Sequence, residues 1–179
     1  MTTSTGSVSD AVRESALRRA FAFPNPVNEY AARSTAGIVV VLSLAALVLG
    51  LAAGWGWPLW IIALGFWLRV AGGPRYSPAG RLAVHIIAPR FGKPRLVPGP
   101  PKRFAQAIGA VLSTAAATLW TVGLGPVAWV LIVLLIAAAS LEAFAGFCLG
   151  CWIFGKLQAA GVIPESVCEA CNNIALRRA

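Results

Sequence analysis

The sequence predicts an all-α membrane protein whose four transmembrane helices form two hairpins, with a short interfacial helix in the central loop and a cytoplasmic C-terminal helix. Composition is the first observation. Of 179 residues, 58% are hydrophobic and 12% charged, against about 45–50% apolar and about 25% charged in a soluble domain. The second is clustering, because neither 34–68 nor 104–141 contains a charged side chain. The third is interruption: Gly54-Trp55-Gly56-Trp57-Pro58 divides the first block and Gly123-Leu124-Gly125-Pro126 the second, in the pattern that ends helices and makes tight turns.

Residues 1–33 form a polar tail that carries Asp10, Arg13, Glu14, Arg18, Arg19, Glu29 and Arg33. Ser and Thr crowd its first residues, which predicts disorder there, followed by a short surface helix over 13–23. It has no short apolar core with a small-residue cleavage site, so no signal peptide is expected. The transmembrane domain follows over 34–155. At ~1.5 Å per residue each uncharged block would make a rod of more than ~50 Å, against a hydrocarbon core of about 30 Å. Each block therefore holds two spans, at about 35–53 and 57–71, then 104–122 and 126–147.

Orientation follows from charge. Of the fifteen Lys and Arg residues, four precede the first span, eight lie from Arg69 to Arg103, and three follow the fourth span. The two tight turns carry none. The positive-inside rule places both termini and the 72–103 loop in the cytoplasm of a plasma-membrane protein. Tryptophan gives a second test, since its ring prefers the interface. Trp55, Trp57, Trp60, Trp120 and Trp129 gather at the turns, and Trp67 and Trp152 fall towards the other face. The net charge of +9 then points to anionic headgroups of the bilayer as partner, and no nucleic-acid-binding pattern is present.

In the central loop, 79–87 reads as a short interfacial helix with Leu82, Ala83, Ile86 and Ile87 on one side and Arg81 and His85 on another. His85 is the only histidine, and it fits an interfacial polar residue, a metal ligand or a proton carrier. The loop arginines fit lipid attraction or an anion- or partner-docking surface.

Chemistry concentrates at the C-terminal end. All four cysteines fall there in two matched pairs, Cys148-Leu-Gly-Cys151 and Cys168-Glu-Ala-Cys171, the second in the cytoplasmic tail 156–179. Pairs at this spacing exchange disulfides readily, and in a reducing compartment they are transient, catalytic or metal-binding. Read as redox residues, Cys148 and Cys151 exchange electrons or sulfane sulfur while Cys168 and Cys171 act as a second dithiol. One expectation opposes this. Cys148 and Cys151 end the helix of the fourth span, where the dipole disfavours thiolate. The same four cysteines also have the spacing of a structural zinc site. That alternative makes the protein a non-enzymatic scaffold or carrier with Cys148, Cys151, Cys168 and Cys171 as ligands. Packing alone is the third reading. Glu142 lies inside the fourth span, where a carboxylate marks function by default. It is expected either to pair with Arg69 or to move protons for the thiols. Transport of a sulfur-containing anion through Arg69 is a further reading, although the spans lack a line of polar residues.

The stretches NPVNEYAAR (25–33), GPRYSP (73–78), PKRFAQAIG (101–109) and LEAFAGFCLGC (141–151) resemble those of an uncharacterised family of four-helix bacterial membrane proteins, over roughly residues 20–160. The resemblance implies no established activity. It does imply gene neighbours of thioredoxin-like and rhodanese type, hence a cytoplasmic partner of that kind.

Overall fold

In the computed structural model the described residues are 23–168. The expected tail disorder, the 13–23 helix and Cys171 lie outside them. Five helices of 11 to 25 residues carry the fold: α1 (Glu29–Ala53), α2 (Pro58–Gly72), α4 (Gly99–Thr121), α5 (Gly125–Ala145) and α6 (Leu149–Ala159), with the five-residue α3 (Pro78–Leu82) in the central loop. Each boundary has a local cause. The Asn28 side chain accepts from the Tyr30 N–H and caps α1, which ends on Gly54 in the left-handed region. Pro58 opens α2 and Pro126 lies in the first turn of α5, where a missing N–H does no harm.

Three of these helices, α1, α4 and α5, are long and apolar enough to cross a membrane. Their outer surfaces are oily. Val48, Leu51, Val111, Val130 and Phe144 are all more than half exposed, an arrangement that water penalises and lipid does not. The helix α2 has 15 residues, roughly 22 Å at ~1.5 Å per residue, and is shorter than a full span.

The packing departs from two closed hairpins. The helices α4 and α5 do pack on each other, but α2 lies mainly along α4 and α1 along α5, with only slight contact between α1 and α2. The core between them is small-grained, with Ala46, Ala110, Ala116, Ala117 and Ala128 buried around Leu59, Ile62, Phe66 and Ile132. Small residues let helix backbones approach closely where no hydrophobic effect drives association.

The expected tryptophan grouping is modified at this level. Trp55, Trp57 and Trp60 are exposed beside the turns, whereas Trp120 and Trp129 are half-buried and pack on the core. Trp129 lies against Gly50 and Trp120 against Gly56, and a Cβ at either glycine would collide with the ring. These two rings join helices rather than standing free at an interface.

At the opposite end, the 72–103 loop is more structured than a single short helix. The chain continues from α3 through a π-turn (Ala83–Ile87) and a 3-10 turn (Ala88–Phe91). Leu82, Ile86 and Phe91 project outward, and His85 is exposed. A two-residue antiparallel ladder then pairs β1 (Val27–Asn28) with β2 (Leu96–Val97), Val27 opposite Val97. Glu29 pairs with Arg95 beside it at 2.9 Å. The entry to α1 is thereby tied to the entry to α4.

Candidate functional site

The helix α5 stops before the cysteines. Gly146 takes φ 68° and caps it, and the free carbonyls of Ala143 and Phe144 accept hydrogen bonds of 2.9–3.2 Å from the Arg33 guanidinium. After this break the chain restarts as α6, with Cys148 as its N-cap in extended conformation. The expectation that the pair ends a helix is therefore corrected. Gly146 provides a left-handed stop, and Cys148 opens the next helix instead of closing the last.

The Cys148 Sγ accepts from the backbone N–H of Cys151 at 3.3 Å. A sulfur at an N-cap faces the positive end of the helix dipole, the setting that favours thiolate. The Cys151 thiol also donates to it, and this hydrogen bond is the main cause that holds Cys148 below the ordinary thiol value; Lys102 and the Cys151 N–H act the same way, against burial and Glu142. Cys151 is pushed well up, first by that same hydrogen bond, then by burial and the neighbouring sulfur. The two thiols are thus unlike: the thiolate is favoured at Cys148 and the protonated form at Cys151. Both are free.

Glu142 is paired, but not with Arg69 as expected. Its Oε1 lies 2.6 Å from Lys102 Nζ, and both side chains are about nine-tenths buried (11% and 12% exposed). Arg69 instead donates from Nε to Gln106 Oε1 at 2.7 Å and stacks on Phe66 at 4.3 Å. The reason is geometric: α4 lies beside α5, so the Lys102 side chain reaches the carboxylate at contact distance.

Gly150 lies within α6. A methyl there would lie 2.6 Å from the Cα and Cβ of Ala105, so its lack of a side chain lets α6 settle onto α4. Phe104 and Phe154 meet edge-on at 5.6 Å across the same contact. Cys148, Cys151, Lys102, Phe154 and Gln158 line a cavity of about 360 Å³ that opens at this end of the bundle. A second, more apolar cavity of about 380 Å³ lies inward, lined in part by Cys148, Glu142, Leu135 and Phe66. Cys148 faces both.

Cys168 is buried and disulfide-bonded; its partner is neither Cys148 nor Cys151, and it does not line their cavity. Among the described residues no three His, Cys, Asp or Glu side chains gather as a metal site. Sequence reasoning missed Lys102 and Arg33. Both stand in the quoted stretches PKRFAQAIG and NPVNEYAAR, and both serve the cysteine end of α5.

A family model described as a domain of unknown function matches residues 27–159, most of the chain and all of this site. No curated protein and no solved structure matches.

Proposed function

Because the chain belongs to the DUF4395 family, whose domain carries no assigned function, its chemistry has to be argued from the site, and we propose that it is a membrane thiol–disulfide or sulfur-relay protein worked by Cys148 and Cys151. The observation that carries this reading is the N-cap position of Cys148, with its sulfur on the Cys151 N–H at 3.3 Å. In the exchange step the Cys148 thiolate attacks one sulfur of a partner disulfide. A mixed disulfide forms, and the partner's other sulfur leaves as thiolate and takes a proton. Cys151 then gives up its proton, attacks Cys148 Sγ and releases the second partner thiol. Two electrons pass to the partner, and Cys148 and Cys151 are left as a disulfide. Glu142 lies near both thiols and is the group placed to accept the Cys151 proton, while Lys102 offsets the charge. In a sulfur relay, the Cys148 thiolate takes the outer sulfur of a donor persulfide, whose own thiolate leaves, and Cys151 then attacks Cys148 Sγ, forming the Cys148–Cys151 disulfide and expelling the sulfur as hydrosulfide. The partner is a cytoplasmic protein of thioredoxin-like or rhodanese type, and the tail cysteines Cys168 and Cys171 act as the second couple.

The membrane arrangement belongs to the same proposal. Four crossings in a bacterial plasma membrane, with α2 spanning through local thinning or tilt of its neighbours, put every Lys and Arg on the cytoplasmic side. The test uses purified full-length protein, reduced and then treated with glutathione disulfide. Wild type should pass to an internal Cys148–Cys151 disulfide, and Cys151→Ala should stop at a glutathione adduct on Cys148, identified by mass. Thiols that resist oxidation, or about one zinc per chain that protects them until chelation, would sink the redox reading.

A further inference from the structure

Arg69 is 5% exposed, and among the described residues it meets no carboxylate. Its hydrogen bond is to a neutral amide, made through Nε, and its other contact is the face of Phe66. A buried guanidinium without an anion is costly unless something answers its charge. Glu142 attracts it only through space, because that carboxylate is in contact with Lys102. Arg69, Lys102 and Glu142 therefore leave one positive charge in excess.

That excess borders a space. A cavity of about 320 Å³ opens beside the N-terminal end of α1 and the Gly73-Pro74 corner. Arg69 and Lys102 both line it, with Gln106, Thr35 and Asn28, and no acidic side chain does. Two cations, two amides and a hydroxyl around an otherwise apolar chamber make a recognition surface for a small oxygen-bearing anion. Arg suits this task, since its planar fork meets two oxygens at once.

We infer that this cavity is a binding site for a small oxyanion, sulfate-sized, held by the Arg69 guanidinium with Lys102 at its edge. The inference does not depend on thiol chemistry, since the cavity is not lined by either cysteine. The same oxyanion chemistry is offered by a free inorganic anion and by the phosphate of a lipid headgroup at the membrane surface.

The test is the thermal unfolding midpoint of the full-length protein in nanodiscs of zwitterionic lipid, titrated with sodium sulfate at ionic strength held constant with chloride. Wild type should show a saturable rise. Arg69→Gln should weaken the apparent sulfate affinity by about tenfold or more, while Arg81→Gln, on the exposed loop, should not change it. Ala32→Phe fills the cavity without touching Arg69 and should also remove the response, which keeps the test decisive if Arg69→Gln does not fold. A parallel series with phosphatidylglycerol separates the sources. A rise with that lipid but not with sulfate assigns the site to a headgroup, provided Arg69→Gln or Ala32→Phe removes it. A flat response to both, or an unaltered response in Ala32→Phe, overturns the inference.

Discussion

Lys102 Nζ and Glu142 Oε1 lie 2.6 Å apart and join α4 to α5 one step inward from Cys148. The pair closes the bundle at the end where the cysteines emerge. It places opposite charges on either side of the thiols' proton balance, Lys102 favouring the Cys148 thiolate and Glu142 opposing it.

Breaking this pair from one side should be severe. Lys102→Met leaves a buried carboxylate without its cation and should destabilise by about 3 kcal/mol or more. The double variant Lys102→Met with Glu142→Gln removes both charges and should recover much of that loss. Thermal unfolding of the single and double variants in one detergent checks this, and equal loss in both would show that the pair contributes little.

The thiols should separate by pH. Thiolate is the reactive form, and Cys148 is held below the ordinary thiol value. Its alkylation by iodoacetamide should therefore reach half its maximal rate at a lower pH than that of an unperturbed thiol, with Cys151 lagging. Lys102→Met removes a cation that favours thiolate, so its midpoint should move up. Glu142→Gln removes an opposing anion, so its midpoint should move down. Peptide mapping of the alkylated sites reads both shifts, and coincident titration of the two cysteines would contradict the assignment of roles.

Gly150→Ala should wedge α6 away from α4, because the added methyl meets the Ala105 backbone at 2.6 Å. Overpacking of this kind costs about 1–3 kcal/mol. The Cys148 pH midpoint should shift with it, since the sulfur loses its place beside Lys102. A neighbouring change that adds no bulk at the contact, Leu149→Met, should leave both readouts near wild type.

Topology is open to direct labelling in a chain whose native cysteines are replaced by serine. Trp55→Cys and Leu124→Cys, at the two turns, should react with a membrane-impermeant maleimide in intact cells. Lys93→Cys, in the central loop, should react only after permeabilisation. Labelling of Trp55→Cys and Lys93→Cys from the same side would mean that α2 does not cross.

The legible part of the fold was the part written locally. Gly54 and the pair Gly125-Pro126 impose breaks through their own backbone preferences, and the helices on either side end or begin within a few residues of them. What depended on packing was not legible. Glu142 pointed to Arg69 as its cation, and only the side-by-side placement of α4 and α5 brings Lys102 to it instead. The restart at Cys148 was hidden for another reason. Ala145 and Phe147 are ordinary helix residues, no proline follows Gly146, and cysteine is not among the usual N-caps. NPVNEYAAR was visible as a motif, but its work is distributed: Asn25 accepts from the Gly99 N–H at 3.0 Å, Asn28 caps α1, and Arg33 reaches the end of α5. No single residue announces those partners.

The slight contact between α1 and α2 has a consequence for how the chain is made. Synthesis runs from the N-terminus, so these two helices are made before α4 and α5, the surfaces they are shaped to meet, have been translated. Gly50 and Gly56 wait for Trp129 and Trp120, and Arg69 waits for Gln106. The first half of the protein is thus an incomplete assembly until its second half arrives, and the ladder between Val27 and Val97 is the latch that registers their union.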